Sequence, residues 1–508
     1  MMRYSPAYLL LYLLLAGCTS VPFDHPKTES HAIPTSAETR LGGRLADWQE
    51  EFGKGNTAAI PLSQGLDALG TRLVLIDRAE ASIDAQYFLL KPDDAGNLFL
   101  GKLLRAAERG VRVRLLIDDI FTPRNDRMLA IFNSHPNIEV RLFNPVSRAS
   151  PKAWSFLWGF SRVNRRMHNK AFIVDGSVAV MGGRNIAAEY FELKPQQAFD
   201  DFEMLLYGEV IPEIADSFDH FWNSALSVPM EAVRVSDKPE RRQRWLDYMD
   251  DVVTGKRPSP YAAAINSDFL QQILDGNITP YISTADLIYD APRKLEVSRT
   301  RQKYRTVEQA VGERLRAARE EVIIITPYLV PRDLSFSLLR ESRARGVRVI
   351  IVTNSLGSTN HVAVHSAYAP HRKAMLEAGA ELYELKVDVP RIGNFSEAER
   401  VTLHTKAVII DRQEVFVGSL NMDPRSIELN TEIGLFINSP EAAAELSDRV
   451  SAALPQYTYR LELDAAGRLR WHYHYGQEQA TYSSEPDAGG WRRFKSGFYG
   501  LLPLDSQL

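Results

Sequence analysis

The sequence predicts an α/β fold of two related repeats. Each repeat is an α-β-α sandwich around a mixed sheet, and the two pack as a pseudo-twofold pair with an active site at their interface. Three observations lead to this prediction. One polar motif occurs twice, predicted strands alternate with predicted helices in both halves, and the halves keep a constant spacing of 236 residues. With 508 residues, the chain is also long enough for two hydrophobic cores.

The repeated motif reads His, one residue, Lys, four residues, Asp, six residues, Gly, a small residue, one residue and Asn. The first copy consists of His168, Lys170, Asp175, Gly182, Gly183 and Asn185, and the second of His404, Lys406, Asp411, Gly418, Ser419 and Asn421. Chance recurrence of five identical positions at fixed offsets is expected in fewer than about one in a thousand such chains. The chain therefore carries two copies of one set of chemical groups.

Each element of the first half has a signal of its own. Apolar residues at helical spacing predict helices at 62–81, 98–109, 126–133 and 210–222, and Gly110 marks the end of the second. Alternating or continuous apolar runs predict strands at 83–90, 111–117, 138–143 and 202–207. Strands at 171–174 and 178–181 flank Asp175-Gly176, a pair typical of a tight turn.

The second half repeats this order. Helices are predicted at 306–318, 334–345, 361–378 and 440–453, with a break at Pro370. Strands are predicted at 322–330, 347–353, 381–385, 407–410, 414–417 and 431–437. The segment 108–113 matches 344–349 at the same offset that separates His168 from His404. We interpret the halves as duplicated units.

The sequence divides into six segments. We predict a lipoprotein signal peptide at 1–17, a flexible tether at 18–40, the first repeat at 41–226, an insertion at 227–300, the second repeat at 301–455, and a C-terminal hairpin with an interfacial tail at 456–508. The tether prediction depends on a Pro-, Ser- and Thr-rich composition without periodicity. The tail prediction depends on aromatic residues mixed with Arg and Lys at 491–499.

The bulk composition excludes some classes of protein. Hydrophobic residues make up 45% of the chain and charged residues 24%, as in a globular protein and unlike a disordered or polytopic membrane protein. The net charge of −4 provides no general attraction for nucleic acid, so an anionic substrate has to be bound by local positive charge. The single cysteine excludes an intramolecular disulfide.

The position of that cysteine predicts a place in the cell envelope. A short basic start is followed by an apolar run at 8–16 that is too short for a permanent membrane span. The next residues complete Leu15-Ala16-Gly17-Cys18, which is similar to the bacterial lipobox. We expect a lipid anchor at Cys18 that faces the periplasm, on the outer or the inner membrane, and Thr19 favours the outer one. An ordinary secretory signal and an uncleaved anchor are the alternatives.

The residue types of the motif suit phosphoryl chemistry. Neutral imidazole is a nucleophile and imidazolium is an acid, so His168 and His404 can attack phosphorus and protonate a leaving alcohol when they meet across a cleft. Lys170 and Lys406 follow on the same face of a strand, where a bound phosphate offsets the cost of burying a lysine. The residues expected to bind the phosphate oxygens are Asn185, Asn421, Ser419 and Gly183.

The carboxylates have more than one interpretation. Asp175 and Asp411 are counted with the catalytic set, but each also opens a turn between strands, where Asp is common for structural reasons. Glu203 and Glu432 come early in a predicted strand after each motif. We expect them to orient the histidines through the ring nitrogen that faces away from the phosphate. A charge at the edge of a strand is the alternative.

A further pattern precedes the first motif. Aromatic and apolar residues at 154–160 are followed by Arg162, Arg165 and Arg166. This combination is typical of a loop that enters a lipid interface and binds phosphate headgroups. A loop that packs into the core is the alternative.

The duplicated His-x-Lys-x4-Asp motif resembles that of the phospholipase D superfamily, and the resemblance extends over nearly everything from residue 40 to 508. The segments at 165–170, 182–185, 353–356, 381–386 and 423–426 are similar to the cardiolipin synthase C branch. The resemblance implies two phospholipase D-like repeats, a phosphatidyl-enzyme intermediate on His168, His404 as acid and base, and no metal or other cofactor. It also implies phosphatidyl transfer from one phospholipid to phosphatidylglycerol, which gives cardiolipin.

The partners implied are phospholipids, namely phosphatidylglycerol with a second lipid such as phosphatidylethanolamine, and a membrane surface; an oligomer is not required. A phospholipase D-type hydrolase that releases phosphatidic acid is the alternative, because the sequence does not show whether water or an alcohol reaches the intermediate. The net charge argues against a nuclease. Two intact motifs argue against a lipoprotein that only binds phospholipid.

Overall fold

The structure is a computed structural model, and it describes residues 21–122, 126–148, 160–194, 196–233, 239–257, 259–296, 305–387 and 400–502. The expectations for the signal peptide, for Cys18 and for nearly all of the aromatic loop at 154–160 concern residues outside these ranges.

The elements of the first half and of the segment after it begin with a helix. The strands are β1 Thr57–Leu62, β2 Ser82–Tyr87, β3 Arg112–Asp118, β4 Ile138–Phe143, β5 Arg166–Met167, β6 Ala171–Val174, β7 Val178–Gly182, β8 Ala198–Asp200, β9 Glu203–Gly208, β10 Ser227–Pro229 and β11 Tyr281–Ser283. The helices are α1 Arg40–Phe52, α2 Gly65–Arg78, α3 Asp94–Glu108, α4 Asp126–Phe132, α5 Ile211–Trp222, α6 Pro239–Val253, α7 Tyr261–Ile265 and α8 Asp268–Leu274.

The second half has the same order and then a C-terminal extension. Its strands are β12 Ala285–Tyr289, β13 Glu321–Ile325, β14 Arg348–Asn354, β15 Ala380–Leu385, β16 Val401–Leu403, β17 Ala407–Ile410, β18 Glu414–Gly418, β19 Asn430–Thr431, β20 Ile433–Ile437, β21 Thr458–Leu463, β22 Leu469–Tyr475 and β23 Glu478–Tyr482. Its helices are α9 Val307–Ala317, α10 Asp333–Ala344, α11 Val362–Tyr368, α12 Arg372–Ala378, α13 Pro440–Tyr457 and α14 Gly490–Tyr499.

Each half is built on a large mixed sheet. The first sheet has the order β10-β4-β3-β2-β6-β7-β9-β1-β11, and the second has the order β12-β20-β18-β17-β13-β14-β15-β21-β22-β23. Three adjacent strands run parallel in each sheet, β2 to β4 in the first and β13 to β15 in the second. The other neighbours are antiparallel. The mixed α/β fold is therefore confirmed.

Alternation along the strands decides which core each side chain joins. In β6, Phe172 and Val174 pack with α2 and α3 in an outer core, whereas Ile173 points to the opposite face. In β13, Val322 belongs to the outer core of the second half and Ile323 to the opposite face. The inner faces of both sheets share one apolar cluster with α5 and α13. The two halves therefore pack against each other through a common core.

The segment predicted as an insertion belongs in part to the sheets. Its strand β10 pairs with β4, β11 pairs with β1, and β12 pairs with β20 of the second sheet. Residues 281–289 thus pass from the edge of one sheet to the edge of the other. The predicted C-terminal hairpin has a third strand, β23, and β21 extends the second sheet through β15.

Residues 21–40 are not the flexible tether that the composition predicts. Lys27 Nζ donates to the carbonyl of Ser227 at 2.6 Å, and the Ala32 amide donates to Asp219 at 2.8 Å. The Arg141 guanidinium, which is buried, donates to the carbonyl of Thr28 at 2.6 Å. The segment lies along the first half because it satisfies polar groups that the folded domain leaves there. Among the described helices, none has the length and apolar character needed to cross a membrane.

Candidate active site

His168 is positioned by a two-stranded sheet that joins the halves. Strand β5 ends directly before it and pairs in parallel with β19 of the second half. The His168 amide donates to the carbonyl of Thr431 at 2.9 Å. Its ring Nδ1 lies 2.8 Å from Oε2 of Glu432, the residue directly after that strand. The first motif therefore obtains its orienting carboxylate from the second half. Glu432 contacts a histidine, as the sequence predicts, but it is the histidine of the other repeat.

His404 has the reciprocal arrangement. Strand β16 ends before it and pairs in parallel with β8 of the first half. The His404 amide donates to the carbonyl of Asp200 at 2.7 Å, and ring Nδ1 lies 2.5 Å from Oδ2 of Asp201. Each histidine is thus held by a carboxylate that the other half supplies.

The prediction that Glu203 orients a histidine is wrong. Its two carboxylate oxygens accept from the Arg72 guanidinium at 2.6 and 2.9 Å, and both side chains are buried. In the sheets, Glu203 pairs with Gly182, and Gly434 is the residue that pairs with Gly418. Glu203 therefore corresponds to Gly434, and Asp201 corresponds to Glu432. Asp201 and Glu203 lie only two positions apart, and the sequence prediction named the second instead of the first.

The motif lysines lie beside the histidines in both halves. Lys170 Nζ donates to the carbonyl of His168 at 2.5 Å. Lys406 Nζ lies 2.8 Å from Nδ1 of His404 and also donates to the His404 carbonyl. Burial lowers the pKa of Lys170 to about 7 and that of Lys406 to about 8. The negative charge of a phosphate bound in the site raises both lysine pKa values and so favours the protonated ammonium form.

The histidines are held neutral and their partners ionised. Burial lowers the pKa of His168, and burial together with the Lys406 charge lowers the pKa of His404 to about 3. The Lys406 charge and the hydrogen bond with His404 outweigh burial at Asp201 and lower the pKa of that carboxyl to about 2. A neutral ring that directs Nδ1–H to a carboxylate keeps the lone pair on Nε2 available.

The two motifs form a single electrostatic site. The Lys406 charge lowers the pKa of His168 across the boundary between the halves, and the Lys170 charge does the same to His404. The pKa of Lys170 is in turn lowered by the Lys406 charge and raised by the Asp201 charge, both from outside its own motif. The interface that the sequence predicts as the place of the active site is where these groups meet.

Most residues predicted to bind phosphate oxygens make other contacts. Asn185 accepts from the Leu89 amide at 3.1 Å and donates to the Tyr190 hydroxyl at 2.9 Å. Ser419 Oγ donates to Oε2 of Glu432 at 2.5 Å, so it holds the carboxylate that orients His168. A Cβ on Gly183 would lie 2.1 Å from Asp201, so this glycine leaves room for the other carboxylate.

Asn421 keeps its predicted place beside the second motif. Its backbone amide donates to Ser426 Oγ at 3.3 Å, and its side-chain oxygen is buried without a hydrogen-bond partner. Its prediction as a phosphate ligand stays a prediction.

Asp175 and Asp411 are structural and do not contact the histidines. Asp175 lies at the far end of β6 from Lys170, and its carboxylate accepts from the backbone amides of Glu80, Ala81 and Ser82 at 2.8–3.2 Å. Asp411 accepts from the amides of residues 319–321 at 2.8–3.1 Å. Both residues have a positive φ, as their turns require. We therefore correct their assignment to the catalytic set in favour of the structural alternative.

A pair of clamping residues was missed by the sequence reasoning. Asp118 ends β3, and its Oδ2 accepts from the Met167 amide at 2.9 Å, one residue before His168. Asn354 ends β14, and its side chain bonds both the amide and the carbonyl of Leu403 at 3.0 and 2.9 Å, one residue before His404. Asp118 and Asn354 are 236 residues apart, so the repeat offset was the signal that could have found them.

Both motifs lie in regions of the chain that match a known protein family. The family model for the cardiolipin synthase, PLD-like domain matches residues 73–222 and 311–453, which include both motifs. The chain belongs to this family. Cardiolipin synthase C of Escherichia coli (strain K12) is 34% identical over 463 residues, covering 89% of this chain and 96% of that protein. The cardiolipin synthase of Oceanobacillus iheyensis is 23% identical over 75% of this chain and 66% of that protein.

A solved structure shares the fold. Phosphatidylserine synthase of Haemophilus influenzae Rd KW20 has a TM-score of 0.55 at 14% identity, with 82% of this chain and 92% of that chain covered. Family membership and the two assembled motifs make the protein an enzyme of the phospholipase D superfamily, of the cardiolipin synthase type.

One aromatic ring packs against His168, and three pack around His404. The Phe88 ring centroid lies 5.0 Å from that of His168. The Phe199, Tyr190 and Tyr328 rings lie 5.2, 5.0 and 6.3 Å from His404. This surrounding excludes water from the imidazoles and contributes to their burial. Within the described ranges, no group of three or more His, Cys, Asp or Glu side chains is arranged to hold a metal ion.

The basic cluster before the first motif is largely internal. Arg166 is buried, and its Nη1 donates to Asp118 at 3.2 Å and to the carbonyl of Asn144 at 3.1 Å. Arg162 donates to the Asn144 side chain at 2.7 Å. The described part of this cluster therefore supports the protein around β5, in contrast to the headgroup-binding role that the sequence favours.

Proposed function

We propose that the protein is a phosphatidyltransferase that makes cardiolipin from phosphatidylglycerol and a second phospholipid through a phosphatidyl-histidine intermediate. The observation that carries the proposal is the reciprocal pairing of His168 with Glu432 and of His404 with Asp201. Two oriented imidazoles, each beside a lysine in one buried site, are what a two-step phosphoryl transfer requires. The family supports phospholipids as the substrates.

In the first step, Nε2 of His168 attacks the phosphorus of the donor lipid. The P–O bond to the headgroup breaks, and the leaving alkoxide takes a proton from His404, which becomes protonated when the anionic substrate binds. In the second step, neutral His404 removes the proton from the hydroxyl of phosphatidylglycerol. The resulting oxygen attacks phosphorus, the P–N bond breaks, and neutral His168 is restored.

The lysines stabilise the charge of both transition states. Lys170 and Lys406 are anchored on the histidine carbonyls, so their ammonium groups are held beside the reacting ring. Their lowered pKa values in the free protein mean that substrate binding and lysine protonation are coupled. Charge developed on the phosphoryl oxygens is then met by preorganised donors in a site with little water.

Labelled phosphatidylglycerol in mixed micelles, with and without phosphatidylethanolamine, tests the reaction. The expected product is labelled cardiolipin, with glycerol released when phosphatidylglycerol is also the donor. Phosphatidic acid as the sole product would overturn the proposal in favour of a hydrolase.

A donor with a p-nitrophenyl headgroup tests the roles of the histidines. This leaving group needs no acid, so His404→Ala should release about one equivalent of nitrophenol and retain the phosphatidyl group on His168. His168→Ala should give no burst. The opposite pattern would exchange the roles, and full turnover by either variant would refute the two-histidine mechanism.

We also propose that Cys18 carries a lipid anchor in the cell envelope, with the enzyme facing the periplasm. The first described residues already pack on the first half, which leaves only a short link to the anchor. Cys18→Ser should abolish incorporation of labelled fatty acid. Unchanged labelling would refute the assignment.

A further inference from the structure

The C-terminal helix α14 is placed with its apolar face away from the protein. Its aromatic residues Trp491, Phe494 and Phe498 are 65%, 62% and 53% exposed. The side that packs on the protein consists of Arg492, Ser496 and Tyr499 and is partly buried. A surface helix of a globular protein has the opposite orientation, with its apolar stripe facing the core. Within the part of the chain that the structure describes, this apolar face is left uncovered.

Polar contacts fix the helix in this orientation. Arg492 Nε donates to the carbonyl of Leu356 at 2.9 Å, and the same guanidinium also donates to Thr359. The Ser496 hydroxyl lies 3.1 Å from that of Ser366 on α11. Because the inward face is held by hydrogen bonds, rotation of the apolar residues toward the protein would break them.

The approach to the helix is also held firmly. Glu485 accepts from Arg372 Nη1 at 2.6 Å and lies 3.2 Å from Nε2 of His365, and both partners are buried. The carboxylate fixes the chain five residues before α14 begins. The exposed aromatic face is thus a rigid part of the second half.

The helix lies close to one side of the active site. It packs on α11, which begins after His361, and the His361 ring lies 5.3 Å from that of Tyr328 beside His404. On the other side, Phe121 is 51% exposed and its ring lies 5.4 Å from Phe88, which contacts His168. Phe121 is therefore separated from His168 by one ring, and α14 is connected to His404 through α11, His361 and Tyr328.

We propose that α14, together with Phe121, docks on a bilayer that contains anionic phospholipid and holds the entrance of the active site against it. Arg493 and Lys495 are exposed on this helix, and residues 490–502 include no acidic residue. Aromatic residues interleaved with cations bind the interface of an anionic membrane by apolar burial and by charge. A second copy of the chain is disfavoured because a symmetric contact would bring identical positive surfaces together.

A fluorophore attached to the helix tests this docking. In the full chain with Cys18→Ser, Phe494→Cys provides the only thiol for a nitrobenzoxadiazole label. Vesicles with phosphatidylglycerol should raise its emission by at least about threefold, and phosphatidylcholine vesicles should raise it much less. The matched control is Tyr482→Cys, a 40% exposed aromatic on β23, whose label should not respond.

A second variant measures the contribution of the apolar face. Trp491→Ser, Phe494→Ser and Phe498→Ser combined should weaken vesicle binding by at least about tenfold. The thermal transition should stay that of the parent, because these side chains are exposed in the folded protein. The control with Tyr475→Ser and Tyr482→Ser, both exposed elsewhere, should bind vesicles as the parent does.

The inference rests on the proposed function only for the identity of the substrate lipid. Binding is therefore also measured with His168→Ala, which cannot turn over and should bind vesicles normally. An unresponsive label at 494, or equal responses at 494 and 482, would overturn the docking surface whatever the activity is. A label response that depends on protein concentration without vesicles would assign the face to a second copy instead.

Discussion

Two carboxylates decide the state of the catalytic imidazoles. Glu432 and Asp201 each bind Nδ1 of the histidine in the opposite half. Both carboxyl pKa values are lowered, Glu432 chiefly by His168 and Asp201 chiefly by Lys406, against the effect of burial. A permanently ionised carboxylate fixes the tautomer and stabilises the imidazolium when it forms. This is a positioning role, because the carboxylates act through the ring.

The neighbouring acids Asp201 and Glu203 allow this role to be separated from stability. We expect Asp201→Asn to lower kcat by about 100-fold or more, with little change in thermal stability. Glu203→Gln should leave buried Arg72 unpaired and cost about 3–5 kcal/mol of folding stability. Steady-state kinetics and thermal unfolding of both variants check this. Equal kcat values for Asp201→Asn and the parent would contradict the positioning role.

The buried lysines make stability depend on pH. The pKa of Lys170 falls from 10.5 to about 7 on folding, so between these values the unfolded chain holds a proton that the folded protein has lost. Stability contributed by this group therefore rises with pH from about 7 to about 10.5, with a slope approaching about 1.4 kcal/mol per pH unit. Urea unfolding from pH 7 to 10 should show a smaller rise for Lys170→Met. Parallel curves would contradict the lowered pKa.

At the scale of elements, short parallel strand pairs place the chemistry. β5 with β19 and β8 with β16 bring each histidine beside its carboxylate. Asp118 and Asn354, at the ends of the parallel strands β3 and β14, clamp the residue before each histidine. The large sheets thus set the position of the strand pairs between the halves, which are only two or three residues long.

The turn aspartates are also features of an element. Asp175 is 1% exposed and Asp411 is half-buried, while each carboxylate accepts from three consecutive backbone amides. We expect Asp175→Ala to cost about 2–4 kcal/mol and Asp411→Ala about 1–2 kcal/mol, because loss of buried acceptors costs more. Chemical denaturation measures the costs. A large loss of kcat in folded Asp175→Ala protein would restore it to the catalytic set.

At the scale of the whole molecule, the two repeats are one folding unit. The shared inner cluster contains Ile173 and Met204 of the first half with Ile323 and Leu435 of the second. Separation of the halves would expose this cluster and break both short strand pairs. We expect calorimetry to show one cooperative transition whose van't Hoff and calorimetric enthalpies agree. Two resolved transitions would contradict this coupling.

Much of the molecule follows from local sequence pattern. The parallel strands, the motif hairpins and the helices between them were predicted to within a few residues, because alternation and helical spacing are local signals. Strand β1 was missed, since Pro61 lies within it and its hydrogen-bonding partner β9 is far along the chain. The strands β10 to β12 were missed because only the completed sheets define their edges.

The duplicated residues of the site could be predicted from the sequence, but the contacts that pair each histidine with a carboxylate of the other half could not. His168, Lys170, His404 and Lys406 were found because duplication singles them out. Asp201 was missed because its partner is fixed by a strand pair between the halves, and local spacing carries no information on that pair. The prediction of a flexible tether was wrong for a related reason, since the groups that bind residues 21–40 become adjacent only after folding.

The exchange of carboxylates between halves also controls when a newly made chain becomes reactive. The second repeat is the last part of the chain to be synthesised, and both repeats are needed for the single folding unit. A chain released as far as the first repeat contains His168 but not Glu432, which is 264 residues later. We therefore expect nascent and truncated chains to be inactive in phosphatidyl transfer, which requires both halves of the folded protein.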